Sequence, residues 1–326
     1  MFNHHDTNLT RGYIITLISA AILSTTAIFI RYLTATYHMP ALILAFWRDL
    51  MVTVTLVLVL GLVRPALLRV ERRHLPYLIG YGLILAIFNA LWTLSVALNG
   101  AAISTVLVYS SAAFTALLGW LLLKEQLTWA KVVAVTFSLG GCILISGAFD
   151  PAAWQLNLIG ILTGISSGLL YAIYSLMGRA AAQRQINPWT TVLYTFGVAS
   201  ILLVCVNLFF GDLVPGAATQ PADLWWLGDA VTGWLVLFLL AAGPTVIGFG
   251  LYNVSLSYLL ASVANLIVTL EPVFTAVMAY ILFSERLSAV QVGGSLLIMA
   301  GVIFLRLADG RSALPTRQAL NSSTAE

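Results

Sequence analysis

LWTLSVALNGAAISTV (91–106) and LYNVSLSYLLASVANL (251–266) carry one pattern twice, 160 residues apart. The register continues without a gap. AAFTALLGWLLLKEQLT (112–128) lies on PVFTAVMAYILFSERLS (272–288), which pairs Phe114-Thr115-Ala116 with Phe274-Thr275-Ala276, Glu125 with Glu285 and Leu127 with Leu287. A shift of 148 aligns the earlier part of the chain: Gly12 with Gly160, Arg31 with Arg179, and Pro40 with Pro188. The two shifts differ by 12 (160 − 148), a difference absorbed by the long connection 211–231. Self-similarity at a fixed offset is an internal repeat, and the halves it defines are 1–150 and 151–326.

Composition says what each half is made of. Of the 326 residues, 60% are hydrophobic and 8% are charged; a water-facing domain carries about 25% charged residues. Most of this surface must therefore face lipid. About 20 apolar residues cross a hydrocarbon core as a helix, and ten segments qualify: 13–31, 41–63, 76–98, 102–123, 129–147, 158–178, 189–210, 232–258, 262–283 and 289–307. The first is longer than a signal-peptide core and is followed by Arg31-Tyr32-Leu33 rather than a small-residue cleavage site, so it reads as a retained helix. Asn99-Gly100-Ala101 and Leu259-Leu260-Ala261 leave almost no loop, which makes the flanking helices antiparallel neighbours. In the connection 211–231, Leu224-Trp225-Trp226-Leu227 reads as an aromatic anchor at the membrane interface.

The expected fold is therefore an all-α integral membrane protein of ten transmembrane helices, arranged as two five-helix repeats. Five is odd, so the halves cross the membrane in opposite senses. Inverted repeats of this kind build secondary transporters, with a central site reached alternately from each side. Twelve of the fifteen Lys and Arg residues fall at one end of the bundle if the N-terminus lies inside, against Arg31 and Arg286 at the other end. Basic residues prefer the cytoplasmic side, so both termini are expected there, in a bacterial inner membrane.

Several function classes are disfavoured. A net charge of +3 without a solvated basic run argues against nucleic acid. His4, His5, His38 and His74 lack metal-ligand spacing, and Cys142 and Cys205 sit in apolar runs, so neither a metal nor any other cofactor is expected. No GxxxxGK[ST] loop is present for ATP. A membrane-embedded enzyme would need an acid–histidine or serine–histidine set at membrane depth, and no histidine lies inside a helix. A receptor or scaffold would want extramembrane domains. The expected partners are a small-molecule substrate and the bilayer, with monomer and homodimer both open.

Charges at membrane depth mark candidate function. Glu271 lies near the bilayer centre, and Arg48 and Asp49 lie seven or eight residues into the second segment, about 10–12 Å deep. Arg48 reads either as a clamp for a substrate carboxylate or as a packing ion pair with Glu271 or Asp49. Glu271 reads as a proton carrier or as the partner of a substrate ammonium. Its repeat counterpart is Ser111, and that of Arg48 is Phe196, so the halves differ where the charges sit. Asn89, Trp92 and Ser95–Val96 share one helical face. With Tyr109, Ser111, Tyr174, Tyr252 and Asn253 they could line an amphipathic cavity, or merely join helices by hydrogen bonds. Ser24, Thr25, Thr26, Tyr171, Tyr194, Asn265 and Thr269 complete the polar and aromatic set. Gly160, Gly164 and Gly168 form a close-packing ridge, and Gly243, Pro244 and Pro272 interrupt helices as kinks or hinges. Glu125 and Glu285 stand beside helix starts at Thr128 and Ser288, the latter with capping-box spacing to Gln291.

The Pro-x(7)-Arg pattern of Pro40 to Arg48, the Glu271-Pro272 pair, the Glu-x-Leu-Thr/Ser turns at 125–128 and 285–288, and the Gly140-Gly141 and Gly301 helices together resemble the EamA-like families of the drug/metabolite transporter superfamily. The resemblance spans 11–307 and departs from symmetry at Ser111-Ala112. It implies a ten-helix carrier that exports small metabolites; amino acids or related amphipathic compounds are the leading substrates. A nucleotide-sugar or phosphorylated-metabolite exchanger is the alternative, although it would want more cavity cations than Arg48.

Overall fold

The computed structural model describes residues 4–146, 158–211, 213–283 and 288–312. Glu285, Arg286 and Leu287 lie outside these, as do the side chains of Arg31 and Val96. All regular elements among the described residues are helical: α1 His4–Leu23, α2 Thr26–Tyr37, α3 Ala41–Val63, α4 Leu75–Tyr109, α5 Ser111–Leu123, α6 Trp129–Ser146, α7 Leu158–Gln183, α8 Pro188–Phe209, α9 Val231–Leu240, α10 Val246–Ser255, α11 Ala261–Val268, α12 Glu271–Phe283 and α13 Ala289–Ser312. Eight stretches are long and apolar enough to span a bilayer, and Trp129–Leu144 and Ala261–Thr275 are shorter apolar helices. The ten expected segments are all present.

The contacts between helices obey the repeat. The first span packs on the eighth (α1 on α10), and its counterpart, the sixth, packs on the third (α7 on α4). Likewise α1 meets α12 as α7 meets α5, while α3 pairs with α8 and α6 with α13. Exchanging the halves maps each pair onto another or onto itself, the signature of a two-fold axis relating inverted repeats. Small residues make the central contacts possible. A Cβ on Gly164 would lie 2.6 Å from Leu107, and one on Gly168 would lie 3.0 and 3.1 Å from the carbonyl oxygens of Leu107 and Val108. Gly160 completes the ridge, its carbonyl accepting from Ser95 Oγ at 2.8 Å.

Helical bonding runs through Asn99-Gly100-Ala101, where a loop was expected. Yet Ser95 Oγ and Ser104 Oγ are 2.9 Å apart, whereas nine residues of straight helix advance about 13 Å. The chain therefore reverses inside α4, and its two arms are antiparallel spans. Three other spans that read as single helices are interrupted. At Ser24-Thr25 both hydroxyls bond carbonyls three residues back, Ala21 and Ile22, and compete with the helix ladder. At Ala241–Thr245 a π-turn surrounds Pro244; proline has no N–H for the Leu240 carbonyl, and Thr245 Oγ1 donates to it instead at 2.8 Å. At Thr269-Leu270 the ladder stops just before Pro272. Pro272 sits in the first turn of α12, where a missing N–H costs least.

Glu125 is structural, but it does not cap the helix beside it in sequence. Its Oε1 accepts the Ala261 N–H at 3.1 Å, its Oε2 accepts the Ser262 hydroxyl, and Lys131 Nζ stands 3.7 Å away. The carboxylate thus caps α11 from the opposite half, since a helix start leaves N–H groups unpaired and attracts negative charge. The Ser288–Gln291 capping box forms as its spacing predicts, at 2.9 and 3.2 Å. The 211–231 connection docks through the Gly216 carbonyl, which accepts the Leu42 N–H at 2.9 Å from a positive φ of 81° that suits glycine. Trp225 is exposed, with its ring 5.0 Å from that of Trp47.

The ridge and the π-turn make opposite predictions for one added methyl group. Gly168→Ala should lower the thermal unfolding temperature of the solubilised protein, because backbone carbonyls cannot step aside; an overpacked site costs about 1–3 kcal/mol. Gly243→Ala, with open space at its Cβ, should leave that temperature within about a degree or raise it.

Candidate substrate site

A cavity of about 130 Å³ lies where the interrupted spans meet. Leu23 and Thr26 reach it from the two sides of the first break, Val108 and Tyr109 from the end of the second arm of α4, Glu271 from the first residue of α12, and Phe249 from α10. Arg48 on α3, Phe88, Asn89 and Trp92 on α4, and Tyr171 on α7 close the wall. Lipid-exposed backbone cannot be irregular at membrane depth, but backbone lining a cavity can. The breaks and the cavity therefore belong together.

The polar part is built around Asp49, which is fully buried beside the 8%-exposed Arg48. Arg48 Nε donates to Asp49 Oδ1 at 3.0 Å, and Asn89 Nδ2 donates to Oδ2 at 2.9 Å. Both carboxylate oxygens are engaged, so the guanidinium is paired and also held in place. A guanidinium carries five N–H donors, and one of them makes this bond. Of the two pairings open to Arg48, the structure forms the one with Asp49 and not that with Glu271. Glu271 instead lines the cavity together with Tyr109. Thr26 Oγ1 is buried and has no hydrogen-bond partner, although it lines the cavity. Aromatic rings supply the rest: Phe88 stacks on Tyr171 at 5.2 Å and 22°, and Tyr171 on Tyr252 at 6.1 Å.

Of the residues singled out in the sequence, Thr26, Arg48, Asn89, Trp92, Tyr109, Tyr171 and Glu271 line the cavity. Ser111, Tyr174, Tyr252 and Asn253 lie behind it, in a buried hydrogen-bonded network. Ser111 Oγ bonds Asn265 Oδ1 at 3.0 Å, Asn265 Nδ2 bonds Ser175 Oγ at 3.0 Å, and the Tyr252 hydroxyl bonds Ser175 Oγ at 2.7 Å. Asn253 Nδ2 reaches the Tyr174 hydroxyl at 3.0 Å. This network ties α5, α7, α10 and α11 together across the two halves. Leu23, Phe88, Val108 and Phe249 were missed because an apolar residue among apolar residues carries no signal of its own. The repeat held a clue, however: Phe249 is the counterpart of Asn89, and Leu23 is the counterpart of Tyr171.

Two inverted five-helix halves closing on a polar and aromatic cavity at their helix breaks are the architecture of a membrane transporter. The chain belongs to the EamA-like transporter family, whose pattern matches residues 10–147 and again 158–307. It is similar to a probable amino-acid metabolite efflux pump of Escherichia coli K12, 26% identical over 82% of this chain and 85% of that one. The corresponding pump of Salmonella typhimurium is 25% identical over 82% and 85%, and an uncharacterized transporter of Archaeoglobus fulgidus is 26% identical over 67% and 73%. A crystal structure with 17% identity superposes with a TM-score of 0.74 over 93% of this chain and 98% of its own, a likeness of fold.

The two polar settings separate in a stability measurement. Thr26→Val should leave the thermal unfolding temperature unchanged or raise it, since the hydroxyl it removes is unpaired. Asn89→Leu should lower it, because one Asp49 oxygen loses its donor at a cost of about 1–3 kcal/mol.

Proposed function

We propose that this protein exports amino acids or related amphipathic zwitterions across a bacterial inner membrane, with both termini in the cytoplasm. The observation that carries the reading is one small cavity holding a positioned cation, Arg48, and a separate carboxyl group, Glu271, between walls of aromatic rings. A free amino acid offers a carboxylate, an ammonium and a side chain, and each has a matching wall. Arg48 clamps the carboxylate through donors not spent on Asp49, since guanidinium–carboxylate pairing is strong and directional. Glu271 takes the ammonium or carries a proton in exchange. Phe88, Trp92, Tyr171 and Phe249 pack the side chain. The printed names of two relatives, as probable amino-acid metabolite efflux pumps, support this substrate class. A phosphorylated substrate fits less well, because the cavity lining includes one cation.

Alternating access follows from the geometry of the halves, 1–150 and 151–326, rocking about the cavity. At about 130 Å³ it is smaller than the ~300 Å³ at which small-molecule sites usually begin, which supports a contracted state. At the end assigned to the cytoplasm the halves are latched. Glu125 of the first half caps α11 of the second. This contact must part for substrate to enter from that side.

Flux of labelled aromatic and aliphatic amino acids in proteoliposomes tests the reading. Arg48→Ala should cut transport of amino acids at least tenfold while sparing an amine analogue that lacks the carboxylate; equal losses for both would refute the clamp. Glu271→Gln should abolish the response of the flux to an imposed pH gradient. A variant that responds like the wild type would remove Glu271 from coupling.

A further inference from the structure

A second pocket lies away from the transport cavity, on the lipid-facing side of α1, α12 and α13. It holds about 330 Å³ and is walled by apolar side chains, among them Leu17, Phe274, Val302 and Ile303. Its lining runs along α13 from Met299 to Leu307, about 12 Å of helix at 1.5 Å per residue. That is roughly the depth of one leaflet's hydrocarbon. Ile303 and Leu307 are more than half exposed, so the groove opens outward rather than into the bundle.

One end of the groove is charged. Arg306 lines it together with Tyr13. The guanidinium stands 4.8 Å from the Tyr13 ring centroid, and Nη2 donates to Thr10 Oγ1 at 2.9 Å. Ring and hydroxyl fix the cation at the mouth of the groove, at the end of the bundle where the basic residues gather. Arg11, beside Thr10 in the chain, lies over Tyr258 at 5.4 Å. Among the described residues no acidic side chain lines the groove. A long apolar slot ending in a held cation is complementary to an acyl chain ending in a phosphate.

We infer that this groove binds a phospholipid of net negative headgroup, with an acyl chain along α13 between α1 and α12 and the phosphate on Arg306. The inner end of the groove is made by Leu270, Val273 and Phe274. These flank Glu271 and the break between α11 and α12, so a bound chain would brace that break from the lipid side. A zwitterionic lipid could fill the same slot with its chain. Its headgroup would gain less from Arg306, because its own ammonium competes for the phosphate. One basic residue near a membrane surface contributes about a fivefold preference for an anionic lipid.

The test is native mass spectrometry of the full-length protein in detergent, titrated with phosphatidylglycerol or phosphatidylcholine of identical chains. The wild type should retain phosphatidylglycerol about fivefold better. Arg306→Gln should erase that preference and Arg306→Lys should keep most of it. Val302→Trp, which fills the slot, should reduce retention of both lipids alike. Equal retention of the two lipids by the wild type would overturn the proposal, and so would an undiminished preference in Arg306→Gln. The wild-type comparison decides the matter even if a variant fails to fold, and none of these readouts depends on the transported substrate.

Discussion

Every backbone N–H and C=O inside a lipid bilayer must find its partner within the protein, and the architecture of this chain follows from how it meets that demand where helices stop. Pro244 takes a donor away from the Leu240 carbonyl, and the hydroxyl of the next residue, Thr245, replaces it at 2.8 Å. The break at Ser24-Thr25 leaves the Ser24 carbonyl to accept from Thr275 Oγ1 on α12 at 3.2 Å. A defect in one half is thus repaired by a side chain from the other. Glu125 extends the pattern to the helix start at Ala261, again across the halves. Solvent could satisfy these groups in a soluble protein. Here they tie the two repeats together.

The repairs also decide where chemistry can happen. A break that is satisfied from within leaves room on its cavity side for groups with chemical work to do, and the Arg48–Asp49–Asn89 set, Glu271 and Thr26 all gather there. Asp49 is best understood as a positioning group. Fully buried and bonded through both oxygens, it does not line the cavity, but it fixes the guanidinium of Arg48, which does. Behind the ring wall, the Ser111–Asn265–Ser175–Tyr252 network spends its polar groups on one another. Polar residues at one depth therefore divide into two populations, one facing space and one facing protein.

Departure from symmetry completes the design. A perfect inverted repeat would present the same groups twice. Here the counterpart of Glu271 is Ser111, drawn into the packing network, and the counterpart of Arg48 is Phe196, fully buried. One acid and one cation thus line a shared cavity without a like-charged counterpart from the other half. The packing partners α3 with α8 and α6 with α13 keep the two-fold order elsewhere.

The amino-acid sequence alone determined the class of fold. Low charge, ten apolar segments and a duplicated pattern require lipid-facing helices and inverted halves, because segment length and an odd helix count leave no other arrangement. It also marked Arg48, Glu271 and the Asn89–Trp92 face, since charge and polarity at membrane depth are legible one residue at a time. Tertiary structure decided what depends on direction and on partners across the fold. It assigned Asp49 to Arg48, gave Glu125 to a helix 136 residues away, sent Tyr252 and Asn253 into the packing, and brought Phe88 and Phe249 into the wall. Such choices turn on which way a side chain points once helices from both halves meet, and helical periodicity within one segment does not carry that information.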